Sequence, residues 1–169
     1  MSQDWRERTI RWDDPLATAR EGLAMAGRDY LAAICSGELP LPPICRLLGF
    51  SISEFDEGRV TMRLVPGEYH YNPLGVVHGG VAATLLDSVM GCAVHSTLPA
   101  GRGYTTLEMK VNHLRAIAAD TGEIIAEGWV VHAGRQIAMA ESRIVDGRGK
   151  LYAAGVETCL VFDRSADPQ

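Results

Sequence analysis

The most apolar part of the chain lies between Val81 and Val94 and repeats at helical spacing. Val81, Leu85, Val89 and Ala93 form one row, and Ala82, Leu86, Met90 and Val94 form the next. With Ala83 and Cys92 added, the pattern predicts a helix over 80–97 that is apolar nearly all round, and such a helix belongs in the middle of a domain. Gly79 and Gly80 stand at its start, and Leu98, Pro99, Ala100 and Gly101 end it. Beyond it the period changes from helical to alternating. TTLEMKVNHLRA places Leu107, Met109 and Val111 on one side and Thr106, Glu108, Lys110 and Asn112 on the other. GEIIAEGWVVHA, RQIAMAESRIVD and KLYAAGVETCLVF follow, joined by turn chemistry at 119–122, 133–134 and 146–149. Upstream, FSISEFDEGRVTMRLVP predicts a hairpin turning at Asp56, Glu57 and Gly58, and 67–79 predict loop. Residues 13–36 predict one helix, started by Asp13, Asp14 and Pro15, with a loose stripe of Leu16, Leu23, Ala26, Tyr30 and Ile34. The three prolines of GELPLPP (37–43) predict an extended connection, either a tether or a hinge.

Short connections between successive strands imply an antiparallel sheet. The expected fold class is therefore α+β, a long curved antiparallel sheet wrapped around a single central helix, with an N-terminal helical extension.

The 169 residues suffice for one domain with a proper core. A net charge of −5 without a Lys/Arg run argues against a nucleic-acid partner. No stretch reaches the ~18 apolar residues of a membrane span, and the charged MSQDWRERTIRWDD is no secretory signal. Cys35, Cys45, Cys92 and Cys159 form no CxxC pair, so reduced thiols and a cytoplasmic protein are expected.

One residue breaks the apolar helix. An ionised carboxylate there costs several kcal/mol unless it is paired or hydrogen-bonded, so Asp87 needs a reason. Either it lies on a wet side of the helix or bonds a neighbouring side chain, or it is a catalytic carboxylate in a cleft. Gly79 and Gly80 either permit a tight turn or open the helix N-terminus to a carbonyl oxygen, as an oxyanion hole. Gly79 and Asp87 are eight residues apart, about 12 Å along a helix axis, so one carbonyl cannot touch both in one chain. If both act in one site, two copies packed antiparallel about a two-fold axis must supply them. Asn72 could orient Asp87 or a water. His78 could be a base, a loop anchor or a plain polar residue. His70, His95, His113 and His132 have no zinc spacing, so no metal and no cofactor is expected. Ser88 lies outside any G-x-S-x-G elbow, and no phosphate loop or dinucleotide fingerprint is present.

Asn72, five residues, His78-Gly79-Gly80, six residues and Asp87 together resemble the signature of hotdog-fold acyl-CoA thioesterases of the PaaI-like branch. The resemblance covers roughly 46–162. It implies a hotdog domain over 46–162, preceded by an extension and Pro-rich linker over 1–45 and followed by a tail over 163–169. It implies a homodimer, often a dimer of dimers, that hydrolyses acyl-CoA at the subunit interface. Asp87 then resembles the nucleophile or general base and Gly79 the oxyanion donor, with Gly80 beside it in the substrate-binding stretch. Asn72 and His78 resemble the loop residues that position thioester and water. The family's Ser or Thr near the carboxylate matches Thr106, or Thr105 with a gap. His113 and Arg135 fall where relatives contact coenzyme A; Arg115 and Lys150 are looser phosphate candidates. The rival readings are a non-catalytic acyl-CoA sensor or regulator, a hotdog hydratase or dehydratase, and a structural dimer.

Overall fold

The computed structural model describes residues 4–164. Its helices are α1 (Pro15–Leu23), α2 (Gly27–Ser36), α3 (Pro43–Leu48) and α4 (Gly79–Ser96). Its strands are β1 (Phe50–Asp56), β2 (Arg59–Leu64), β3 (Arg102–His113), β4 (Ile124–Ala133), β5 (Ile137–Asp146) and β6 (Leu151–Asp163). The six strands form one antiparallel sheet in the order β1-β2-β4-β5-β6-β3. This is the expected hotdog arrangement, a sheet curved around the apolar helix α4.

Strict alternation makes β5 a half-buried strand: Ala138, Ala140, Ser142 and Ile144 face inward and the residues between them outward. Small residues under the helix let it come close. A side chain on Gly128 of β4 would lie 2.7 Å from the Val89 carbonyl oxygen, so the backbone of α4 rests almost on the strand. Leu85, Leu86, Val89 and Met90 are completely buried in the core. Each contributes on the order of 1.5–3 kcal/mol by leaving water.

Several expectations are corrected. The helix expected over 13–36 is two helices. Ala26 is extended (φ −64°, ψ 149°), and the Gly27 N–H donates to the Leu98 carbonyl at 2.9 Å. A Cβ on Gly27 would lie 1.8 Å from the His95 carbonyl oxygen, so the chain breaks its helix to seat α2 against the end of α4. Good local propensity on both sides hides a break made by a tertiary contact. The segment 37–43 is not wholly extended. Pro43 opens α3, because proline is tolerated in a helix's first turn, where no N–H is required. Within the expected loop 67–79, Glu68–His70 make a 3-10 turn and Tyr71 bridges Val77. Buried His70 anchors it. Its Nε2 bonds the Leu48 carbonyl, its Nδ1 accepts from Gly67 N–H, and its own carbonyl receives the His78 N–H that leads into α4.

The last correction concerns β3, which begins at Arg102. Its pairing with β6 slips between Thr106 and Glu108, a bulge at Leu107. The bulge reverses the expected alternation upstream of it. Leu107 is 56% exposed, whereas Tyr104 and Thr106 turn toward α4 with Met109 and Val111.

Candidate active site

One face of α4 is only partly covered by the sheet. Ala83, Thr84, Asp87, Ser88, Cys92 and His95 lie along it and are only partly buried. Over its C-terminal half this face is roofed by α2, the segment leading into α3 and the start of α3. A cavity of about 240 Å³ lies between them, lined by Asp87, Cys92 and His95 from α4 and by Leu31, Ile34 and Ile44 from the roof. Asp87 and His95 are two turns apart, so the cavity extends about 12 Å along the helix. Its far end is aromatic: the His95 ring lies 5.4 Å from Tyr30 and 5.7 Å from Tyr104. Burial lowers the pKa of His95, which favours the neutral ring.

Asp87 is held at the cavity wall. Thr106 Oγ1 donates to Asp87 Oδ1 at 3.1 Å, so the partial burial of Asp87 is compensated by a hydroxyl. The same Oγ1 lies 3.2 Å from Oε1 of Glu157, a fully enclosed carboxyl on β6. Burial, with the charge of Asp87 adding to it, pushes the Glu157 carboxyl up to about 7. Cys159 Sγ lies 2.8 Å from the same Oε1. Sequence reasoning alone misses Glu157. Its signal was its phase: Gly155, Glu157 and Cys159 share the buried side of β6, and a glutamate there requires a partner.

The other end of α4 forms a separate cleft. His78 is the N-cap, and its Nδ1 accepts the Gly80 N–H at 2.8 Å, leaving the neutral ring's proton on Nε2. Gly80's donor is thus used, whereas the Gly79 N–H has no acceptor among the described residues. A cleft of about 300 Å³ opens there, lined by Gly79, Ala82, His113, Arg115 and Ile117. The His113 ring is 3.4 Å from where a Gly79 Cβ would stand. Arg115 donates to the Leu151 carbonyl.

The chain therefore brings the residues singled out from its sequence into two groups. Asp87 and Thr106 meet at the first cavity; Gly79, His113 and Arg115 meet at the second, with His78 and Gly80 at its helix cap. No lining residue is common to the two. Asn72 joins neither. Its Oδ1 accepts from Leu74 N–H and Val76 N–H, closing its own turn, and no hydrogen bond links it to Asp87 among the described residues. Thr105 points outward, away from Asp87. Arg135 is exposed between β4 and β5 beside Arg102. His113 pairs with Ala153 and the Arg135 turn adjoins Leu160, seven residues further along β6, or roughly 23 Å. Lys150 is exposed, its ammonium 5.6 Å from the Tyr152 ring. The four cysteines are unpaired, and burial raises the Cys92 thiol to about 12, which keeps it protonated. Among the described residues no three His, Cys, Asp or Glu side chains gather as a metal site, and no helix is long and apolar enough to cross a membrane.

The family model of the thioesterase superfamily matches residues 74–153, from the loop before α4 into β6. A candidate esterase of Halobacterium salinarum is 32% identical over 122 residues, 69% of this chain and 79% of that protein. A 1,4-dihydroxy-2-naphthoyl-CoA hydrolase of Listeria monocytogenes is 26% identical over 114 residues, 68% of this chain and 89% of that protein. Among solved structures, a conserved protein of Pseudomonas aeruginosa is similar with a TM-score of 0.68 at 33% identity, covering 72% of this chain and 95% of that one. The chain belongs to the thioesterase superfamily, with the hotdog fold of its PaaI-like branch, and is a thioester hydrolase.

Proposed function

We propose that the protein hydrolyses acyl-coenzyme A thioesters in sites shared by two copies of the chain. The observation that carries this reading is Asp87, held by Thr106 at the wall of an apolar cavity. The acyl group, of small to medium size, runs from Asp87 toward the aromatic end of the cavity at His95. Residues 46–162 form the catalytic unit, and the segment before them supplies the cavity roof through α2.

The reaction also needs a donor for the carbonyl oxygen, and the free Gly79 N–H at the positive end of α4 has that character. Asp87 and Gly79 of one chain line different cavities about 12 Å apart. An antiparallel second copy of α4 removes the mismatch by setting Gly79 of the partner subunit against Asp87. Two features support such pairing: the partly exposed face of α4, and the outer edge of β3, which among the described residues pairs only with β6. Further pairing into a dimer of dimers is compatible with this arrangement.

In this scheme the thioester oxygen accepts from the Gly79 N–H. Asp87 takes a proton from water as it adds to the carbonyl carbon, or itself attacks to give a mixed anhydride that water opens. The C–S bond breaks, coenzyme A leaves as thiolate and the acid is released. His113 and Arg115, beside Gly79, receive the coenzyme A portion, with Arg135 contributed from elsewhere in the dimer. His78 fixes the helix start, and Asn72 the loop before it.

The test is free-thiol release from a panel of aliphatic and aromatic acyl-CoAs, with wild type and Asp87→Asn side by side. Release by the wild type alone supports the assignment. Equal release by the variant contradicts it.

A further inference from the structure

Behind Asp87 lies a second carboxyl group that the reaction above does not use. Glu157 is 2% exposed, and its Oε2 is buried without a hydrogen-bond partner among the described residues. Its Oε1 faces Thr106 Oγ1 at 3.2 Å, while that Oγ1 also faces Asp87 Oδ1 at 3.1 Å. A threonine hydroxyl carries a single proton. Were both carboxyls ionised, Thr106 could satisfy only one, and two like charges would meet across one oxygen atom. One more proton resolves the conflict. Placed on Glu157 Oε1, it is donated to Thr106 Oγ1, whose own proton is then committed to Asp87 Oδ1. The proton belongs on Glu157 because that group is enclosed and Asp87 borders the cavity.

The other titratable groups around Glu157 do not supply a compensating charge. Cys92 from α4, Tyr104 from β3 and Cys159 from β6 are all held neutral by burial. Ala140 of β5 stands opposite Glu157 in register, and no salt bridge reaches Glu157 among the described residues.

We propose that Glu157 is a positioning residue for thioester hydrolysis: neutral, it fixes the Thr106 hydroxyl on Asp87; ionised, it draws that hydroxyl to itself. This rests on Asp87 being the catalytic carboxylate. It predicts an alkaline loss of activity that belongs to a group with no access to substrate. Glu157→Gln should remove that loss, because the amide N–H₂ donates to Thr106 at every pH.

The experiment is the pH dependence of kcat for wild type, Glu157→Gln and Asp87→Asn on one acyl-CoA. Wild-type kcat should fall about tenfold from about pH 6 to about pH 9, the cost of one charge-assisted hydrogen bond. Glu157→Gln should stay level over that range, near the wild-type acid plateau. A purely structural glutamate would change the amount of folded enzyme and leave the inflection in place. Persistence of the inflection in Glu157→Gln, or its absence from the wild type, overturns the proposal. Should Glu157→Gln not fold, wild-type protein carrying ¹³C-labelled glutamate decides. A side-chain carboxyl titrating near neutrality supports the proposal, and carboxyls that all titrate in the ordinary acid range overturn it. A fully active Asp87→Asn removes the underlying reading and overturns both. An inactive Asp87→Asn with an unchanged Glu157→Gln profile overturns this inference alone.

Discussion

Thr106 of β3 donates its hydroxyl to Asp87 of α4 at 3.1 Å, and it can do so only because the strand bulges at the next residue. Without the bulge, Thr106 would share its face with Glu108 and Lys110 and point away from the helix. The strand irregularity thus aims a single hydroxyl at the carboxylate.

Removing that hydroxyl while keeping the side-chain shape should slow turnover. Thr106→Val is expected to lower kcat about 10- to 100-fold, the range of a hydrogen bond to a charged group, with KM little changed. Thr106→Ser should restore most of the loss. Steady-state kinetics on the best acyl-CoA checks both.

The cavity roof should set acyl length. Ile44 lines the cavity that begins at Asp87. Ile44→Trp is expected to fill part of its about 240 Å³ and shift preference toward shorter chains. Each methylene excluded costs about 1–3 kcal/mol in kcat/KM. A homologous series of straight-chain acyl-CoAs shows the shift as a displaced optimum, and an unmoved optimum places the acyl group elsewhere.

Glu157 should make stability depend on pH with a definite sign. Its folded carboxyl is raised from 4.5 to about 7, so it binds its proton more tightly when folded. Its contribution is fully present below the unfolded value and is lost as pH rises through about 7. The shift corresponds to about 3 kcal/mol. Relative to Glu157→Gln, the wild type should therefore lose about that much stability between about pH 4 and about pH 9. Denaturant unfolding of both proteins at the two pH values measures the difference.

Much of this architecture was legible in the sequence, and the exceptions share a cause. The buried helix α4 and the strand pairs followed from hydrophobic period, because burial there is decided by local pattern. The break at Gly27 did not, because it is made by contact with the His95 carbonyl, 68 residues away in the chain. The three prolines of 37–43 predict an extended connection, although Pro43 begins α3. Alternation put Thr106 on the solvent side, since a bulge leaves no signature in a period of two. The lone carboxylate of an apolar helix and the spacing of Asn72, His78, Gly79 and Asp87 point to the site, and the eight residues between Gly79 and Asp87 lead to the proposal that two chains share it. Glu157 stands in the inward phase of β6, a signal the sequence carries unread, and its partner on β3 is hidden by the same bulge.

The central claim is that Asp87 and Gly79 act together across two subunits, and complementation tests it most directly. Asp87→Asn removes the carboxylate. Gly79→Pro removes the backbone donor at a first-turn position where proline is tolerated, and His78 before it is already extended at φ −60° and ψ 134°. Each variant alone should be inactive and folded. After co-expression or exchange at equal amounts, mixed dimers form one intact site and one doubly defective site. The thiol-release rate of the mixture should then rise to about a quarter of wild type, since half the dimers are mixed and each has one of two sites. If mixed dimers form and activity stays at the level of the separate variants, Asp87 and Gly79 do not complement across subunits, and the shared-site account is wrong.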